Sequence, residues 1–268
     1  MSGEWYRQAF GAHYPVLYAH RDEAEAARCL ELLPQLAPLS PGEEVPILDL
    51  GCGDGRHLAM LKRLGHRAMG LDLSLDLLKA ARRRGGSGGS LGLARGDMRM
   101  LPFLRRSFGS VLSLFTAFGY FSSDEDNQLV VNQISDVLVA DGHWFLDYLD
   151  GDAVVAELGD GRRRDRRREV GPLVVEESRF LVGKRVLKDV TLTARGGSVP
   201  EAAAIGVPDE GLHYRESVAV FTLDELDGMA SLAGLRRVAS AGSYEGRELG
   251  DGTRWILAYR KTGKGERS

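Results

Sequence analysis

The segment Asp49-Leu-Gly51-Cys-Gly53-Asp-Gly55 holds the residues whose types and spacing could do chemistry most directly. Glycines at 51, 53 and 55 permit a tight turn and let a ligand lie against the backbone. The apolar run from Val45 to Leu50 enters this loop as a buried strand. His57 to Leu64 leaves it as a helix with Leu58, Leu61 and Leu64 on one face. Free amides at that helix N-terminus favour a carboxylate or another anion. The glycines are spaced G-x-G-x-G, one residue short of the G-x-G-x-x-G that seats a pyrophosphate, which argues against a nicotinamide-dependent oxidoreductase. Asp72 lies 21 residues after Gly51, at the tip of the next strand, where a carboxylate can accept both hydroxyls of a ribose. Asp97, at the tip of a third strand, is placed to meet the exocyclic amine of a base.

The elements that must position these groups follow from the alternation around them. Arg67 to Leu71 is a second short strand, and Ser74 caps a helix with Leu77, Leu78 and Ala81 as its apolar stripe. Gly85 to Ser90 is a flexible connector. Leu91–Arg95 and Ser110–Phe115 are the third and fourth strands, Asp124 opens an acidic first helical turn, and Gly142–Tyr148 is the fifth strand. Strand–helix alternation with short links predicts a parallel sheet covered on both faces. After Asp150 the texture changes. Leu173–Phe180 and Arg185–Thr193 flank Val182-Gly-Lys184 as an antiparallel hairpin, a loop runs from 195 to 211, and His213–Phe221 is a further strand. Thr222-Leu-Asp-Glu225 is a capping box that resumes the first pattern, and Leu235–Tyr244 and Arg254–Arg260 complete it. The expected organisation is an N-terminal helical cap (1–40), a ligand-binding core (41–150), an antiparallel β insertion (151–221) and a C-terminal helix with two strands (222–268).

Composition narrows the function. The 268 residues carry 35 basic and 38 acidic side chains, a formal charge of −3, which excludes a wholesale basic nucleic-acid binder. Cys29 and Cys52 are the two cysteines, so a disulfide framework is excluded. No pair of His or carboxylates at i, i+4 suggests a metal, and none is expected. The first residues lack the apolar core of a signal peptide, and the longest uncharged stretch, Ser107–Ser123, is a poor membrane span. A cytoplasmic globular protein is expected, a monomer or homodimer with no membrane partner.

At this point the chain resembles the class I S-adenosylmethionine-dependent methyltransferases of small-molecule type, similar to amino-sugar N-methyltransferases. The stretches that carry the resemblance are Ile47–Gly55, Gly70-Leu-Asp-Leu-Ser74, Gly96-Asp-Met98, Leu114–Tyr120, Phe221–Leu226 and Ala233-Gly-Leu235. It covers nearly the whole chain. It implies a doubly wound, Rossmann-like α/β fold with a seven-stranded sheet, S-adenosyl-L-methionine as cofactor and S-adenosyl-L-homocysteine as product. Carried onto these residues, it implies that Gly51 and Gly53 pack against the cofactor's amino-acid part, with Asp49 and Cys52 beside them. Asp72 and Leu73 then meet the ribose, Asp97 the adenine amine, the Met98 backbone the ring, and Phe115 the sulfonium.

A sulfonium is a strong methyl donor, so the protein must mainly align a nucleophile and exclude water. The expected reaction is methyl transfer to a small molecule, to nitrogen in preference to oxygen. In similar methyltransferases an N-terminal helix folds over the cofactor, so Tyr14, Tyr18 and Arg21 could reach its carboxylate or the substrate. Tyr120 is the first choice for a substrate-facing hydroxyl, against a reading in which it only closes the core. Alternation places His213, Arg215 and Ser217 on one face of their strand and Tyr214, Glu216 and Val218 on the other; either face could roof the pocket. His213 is then a candidate base or a surface residue. His57 reads as tuning the helix terminus. Arg162–Arg168 holds six arginines in seven residues and reads as a solvated, partly disordered loop. Its rival reading is the docking patch of an RNA or protein methyltransferase. A non-catalytic S-adenosylmethionine-binding module is the third reading.

Overall fold

The computed structural model describes residues 4–19, 23–40, 45–85, 91–252 and 254–262. Arg21 and residues 86–90 of the glycine–serine connector therefore lie outside the described residues. Three helices open the chain: α1 (Tyr6–Ala9), α2 (Tyr14–Leu17) and α3 (Glu23–Leu36). The core then alternates β1 (Ile47–Leu50), α4 (Arg56–Arg63), β2 (Ala68–Asp72), α5 (Leu75–Arg84), β3 (Gly92–Arg95), β4 (Phe108–Ser113), α6 (Asp124–Val137) and β5 (Leu138–Leu149). β1 and β4 are buried along their whole length, as befits central strands covered on both faces. The helices begin where their caps dictate. The Ser74 and Ser123 side chains accept from the amides of Leu77 and Asp126, and three acids in the first turn of α6 complement the helix dipole.

The insertion follows as α7 (Gly151–Leu158), β6 (Arg163–Val170), β7 (Leu173–Val182), β8 (Arg185–Ala194), α8 (Val199–Ala204) and β9 (Leu212–Ala219). The chain ends with α9 (Leu223–Leu232), β10 (Leu235–Ala241) and β11 (Arg254–Lys261). The predicted Thr222–Glu225 capping box is complete, each partner bonding the other's backbone. Seven strands form one sheet in the order β10-β11-β5-β4-β1-β2-β3. β1 to β5 run parallel, and β11 is antiparallel to both its neighbours. The strand order reverses between β1 and β4. At such a switch point the carboxyl ends of the strands leave a crevice. β6-β7-β8-β9 form a separate four-stranded antiparallel sheet.

Two sequence expectations are corrected here. The arginine run is solvated, as expected, but it is not a partly disordered loop: residues 163–168 belong to β6, in full register with β7. Arg167 and Arg168 pair with Glu176 and Glu177, Arg164 pairs with Glu157, and the Arg163 guanidinium lies 4.0 Å from the centre of the Phe180 ring. Carboxylates on the neighbouring elements thus order the cations, and charge along an edge strand blocks further strand pairing. The 195–211 loop contains α8, whose Ala202 is buried against the insertion sheet.

Candidate active site

The glycine loop builds the floor. Gly51, Gly53 and Gly55 have φ of +76°, +54° and +76°, a region where a side chain is strained, and a Cβ on Gly51 would sit 2.9 Å from the Ala117 Cβ. Asp72 holds the loop in place. One of its oxygens accepts from the Gly53 amide at 2.9 Å and the other from Ser74 at 2.8 Å. Each carboxylate oxygen keeps a second lone pair for another donor. Burial raises the Asp72 pKa, and the backbone amides of Ser74, Gly53 and Leu73 oppose that rise.

Two cavities adjoin at this floor. The first, of about 280 Å³, is walled by Gly51, Gly53, Asp72, Leu73, Asp97, Met98, Phe115 and Tyr120, and is roofed by Tyr6, Phe10 and Tyr14. The second, of about 410 Å³, shares Tyr14, Gly51, Gly53, Leu114 and Phe115 with the first and adds Tyr18, Asp49, Cys52, Arg56 and His57. Of the residues expected to bind the cofactor, all nine therefore line one cavity or both. The roof is held by the Ser74 hydroxyl, which donates to the Phe10 carbonyl at 2.6 Å, and by rings packed edge to face or tilted: Phe10 on Tyr14, Tyr14 on Tyr18, and Tyr120 against Trp5 and Phe10.

Two buried polar atoms in the second cavity lack a hydrogen-bond partner among the described residues: Asp49 Oδ2 and His57 Nε2. Burial, reinforced by the negative charge of Asp72, pushes the Asp49 carboxyl up to about 7. Burial and then the Arg56 charge push His57 down to about 3, so its ring is neutral. An orphaned carboxylate oxygen and an orphaned imidazole nitrogen, beside a helix N-terminus, fit a ligand carrying both an ammonium and a carboxylate. At the other end of the first cavity, Asp97 is gripped by Arg99 at 2.7–3.2 Å. Burial would raise the Asp97 carboxyl, but the Arg99 contacts outweigh it and hold it below its ordinary value.

The wall near Phe115 is strained. Phe115 and Thr116 have φ of +62° and +60°, which costs about 1–2 kcal/mol for each side-chain-bearing residue. The neighbouring 119–121 segment is clamped from the insertion. Arg185 donates to the carbonyls of Phe121, Tyr120 and Gly119, and Gly119 also accepts from the Ala219 amide at 2.8 Å.

The insertion turns one face of its sheet to the N-terminal helices, and it is the Tyr214–Glu216 face. Tyr214 is buried with Leu173, Val175 and Val190 against Ala9 and Leu17. One charged residue from each strand follows on that face: Arg168, Glu177, Lys188 and Glu216. Lys188 donates to the Tyr18 hydroxyl at 2.8 Å and pairs with Glu216 at 2.7 Å. Burial works against the Lys188 charge, but Glu216 outweighs it and raises the pKa. His213 and Arg215 lie on the opposite face. His213 is exposed and bonded to Thr191, while Arg215 pairs with Asp189, so neither lines the two cavities. Sequence reasoning missed Phe10, which a spacing of four from Tyr6 through Tyr14 to Tyr18 could have signalled. It also missed Lys188, which carried no local signal.

Residues 47–142 match the family model described as a methyltransferase domain. Over 249 residues the chain is 28% identical to a dTDP-3-amino-3,4,6-trideoxy-alpha-D-glucopyranose N,N-dimethyltransferase from Streptomyces venezuelae, covering 88% of this chain and 94% of that protein. The methyltransferase CcbJ from Streptomyces caelestis superposes with a TM-score of 0.76 at 16% identity, over 98% of this chain and all of the other. CalS10 from Micromonospora echinaspora, an amino pentose methyltransferase solved with S-adenosylmethionine bound, superposes with a TM-score of 0.63 at 22% identity, covering 93% of this chain and 96% of that one. No helix among the described residues is long and apolar enough to cross a membrane.

Proposed function

We propose that this S-adenosylmethionine-dependent methyltransferase places methyl groups on the amino nitrogen of a nucleotide-linked amino sugar. The observation that carries the proposal is the pair of adjoining cavities that meet at Gly51, Gly53 and Phe115, the first lined by Asp72 and Asp97 and the second by Asp49, Arg56 and His57. The similarity to an amino-sugar dimethyltransferase over 88% of the chain supports the acceptor class.

The residues fit the cofactor. Asp72 and Leu73 would hold the ribose, Asp97 the adenine amine and Met98 the ring. Asp49 would take the ammonium, and His57 with the α4 amides the carboxylate, which gives both orphaned atoms a partner. When bound, the cofactor supplies an electrophilic methyl on a sulfonium. The chain's own part is alignment and exclusion of water. The rings of Tyr6, Phe10 and Tyr14 cover one side of the first cavity, and the braced 119–121 segment fixes part of its wall. Tyr14, Tyr18 and Tyr120 are the acceptor-facing groups. Lys188 donates to the Tyr18 oxygen, which fixes the orientation of that hydroxyl. An amine brings its own lone pair, so no base is required; His213, exposed on the outer face, is not needed as one.

The test is to incubate the protein with S-adenosylmethionine and dTDP-3-amino-3,4,6-trideoxyglucose and to follow the sugar by mass. Gain of one and then two methyl groups, with S-adenosylhomocysteine released in step, is expected. Tight cofactor binding with no methylation of this sugar or of other nucleotide-linked amino sugars would refute the acceptor class.

A further inference from the structure

Asp147, near the end of β5, is buried to 1% exposure and gathers groups from three separate parts of the chain. Its carboxylate accepts from the Phe115 amide at 2.9 Å, from the Tyr244 hydroxyl at 2.5 Å and from the Arg254 guanidinium at 2.9 and 3.0 Å. Its own carbonyl accepts from the Thr116 amide at 2.9 Å. The two amides it holds are those of the consecutive left-handed residues, Phe115 and Thr116. Such a backbone persists only where its surroundings over-determine it. The Arg254 guanidinium also lies 5.0 Å from the Phe115 ring centre and 4.7 Å from that of Tyr244. Phe115 stands in the wall common to both cavities, whereas Asp147, Tyr244 and Arg254 stand behind it and line neither.

We propose that Asp147, braced by Tyr244 and Arg254, is a positioning residue that holds the Phe115–Thr116 turn left-handed and thereby sets the partition where the cofactor's sulfur end meets the acceptor. The inference rests on the cofactor seat proposed above. Asp147 is suited to this because a carboxylate accepts on both oxygens at once. An amide of the same size would turn a donor toward one of its three donor partners. The C-terminal hairpin, remote in sequence from the glycine loop, is thereby tied to the reacting centre through one side chain.

The experiment is calorimetric titration of Asp147→Asn with S-adenosylhomocysteine and, separately, with adenosine. Adenosine reaches Asp72 and Asp97 but not Phe115, so its affinity should stay at the wild-type value. S-adenosylhomocysteine should bind about tenfold more weakly, the equivalent of one left-handed residue left without its brace. Tyr244→Phe, which removes one hydrogen bond, should shift S-adenosylhomocysteine affinity in the same direction by a smaller factor and covers the case in which Asp147→Asn does not fold. Equal weakening of both ligands would show that Asp147 merely supports the fold. Unchanged affinity for S-adenosylhomocysteine in both Asp147→Asn and Tyr244→Phe would also overturn the proposal. Failure of the wild type itself to bind S-adenosylhomocysteine would instead remove the cofactor seat.

Discussion

Asp49 sets up two opposite responses to acid. Its carboxyl is 1% exposed, one oxygen lacks a partner among the described residues, and burial pushes it up to about 7. An unfolded aspartate titrates near 3.9. The folded-state value is therefore the higher one, so the fold holds the proton and the apo protein gains stability as pH falls toward the unfolded value. From pH 7 to 5.5 that gain is roughly 1–2 kcal/mol for this group. Cofactor binding runs the other way if Asp49 receives the methionine ammonium, because only the ionised carboxylate attracts it. The ionised fraction is about one half at pH 7 and about 3% at pH 5.5, so affinity should fall about 15-fold. An α-amino group stays largely protonated across this window, so the change reports Asp49 and not the ligand. The assay is calorimetric titration with S-adenosylmethionine at four pH values, beside thermal unfolding of the apo protein. Asp49→Asn serves as the isosteric reference in both. The difference between wild type and variant should show affinity falling and stability rising together on acidification. Affinity that follows the same pH curve in Asp49→Asn would refute the assignment of the ammonium to Asp49.

Two further substitutions separate the cofactor side from the acceptor side. Asp72→Asn should weaken S-adenosylmethionine by about 1.5–3 kcal/mol, since an amide turns one acceptor into a donor beside Gly53 and Ser74 and removes the charge on the ribose contacts; isothermal titration checks it, and unchanged affinity would remove Asp72 from the seat. Tyr18→Phe should raise the acceptor KM about 3–10-fold, the worth of one neutral hydrogen bond, while the cofactor Kd holds and the melting temperature falls by the loss of one Lys188 partner. Steady-state kinetics on the amino sugar gives the split, and a fall in kcat with KM unchanged would count against an acceptor-binding role.

The groups at strand ends were legible in the sequence because topology places them. Once Ile47–Leu50, Ala68–Asp72, Gly92–Arg95 and Phe108–Ser113 run parallel, whatever follows each strand meets at one edge. Glycine spacing and the aspartates at 72 and 97 could therefore be read without coordinates. The Arg162–Arg168 run was not, because its composition is that of a solvated segment. Its partners Glu176 and Glu177 become relevant only when Gly171-Pro172 turns the chain back on itself, and Glu157 only when α7 ends just before β6. The Asp147–Phe115 contact spans 32 residues and joins a strand interior to a loop amide, a pairing that no local pattern announces.

The face of β9 is the instructive intermediate case. Alternation separated His213, Arg215 and Ser217 from Tyr214, Glu216 and Val218, and the chemistry of histidine and arginine drew attention to the first set. Packing decides otherwise. Tyr214 continues an apolar surface with Val175, Val190 and Leu192, and that surface covers Ala9 and Leu17 of the N-terminal helices. Once that face is turned inward, Glu216 must follow Tyr214 at a spacing of two, and register then sets Lys188 opposite Glu216. The charges at the middle of the inner face are thus carried in by their apolar neighbours. Such a chain of ions is weak support for stability, because desolvation offsets the attraction between its members. It ends on the Tyr18 hydroxyl in the wall of the second cavity, so that burying the apolar face of β9 fixes one side chain of the candidate site.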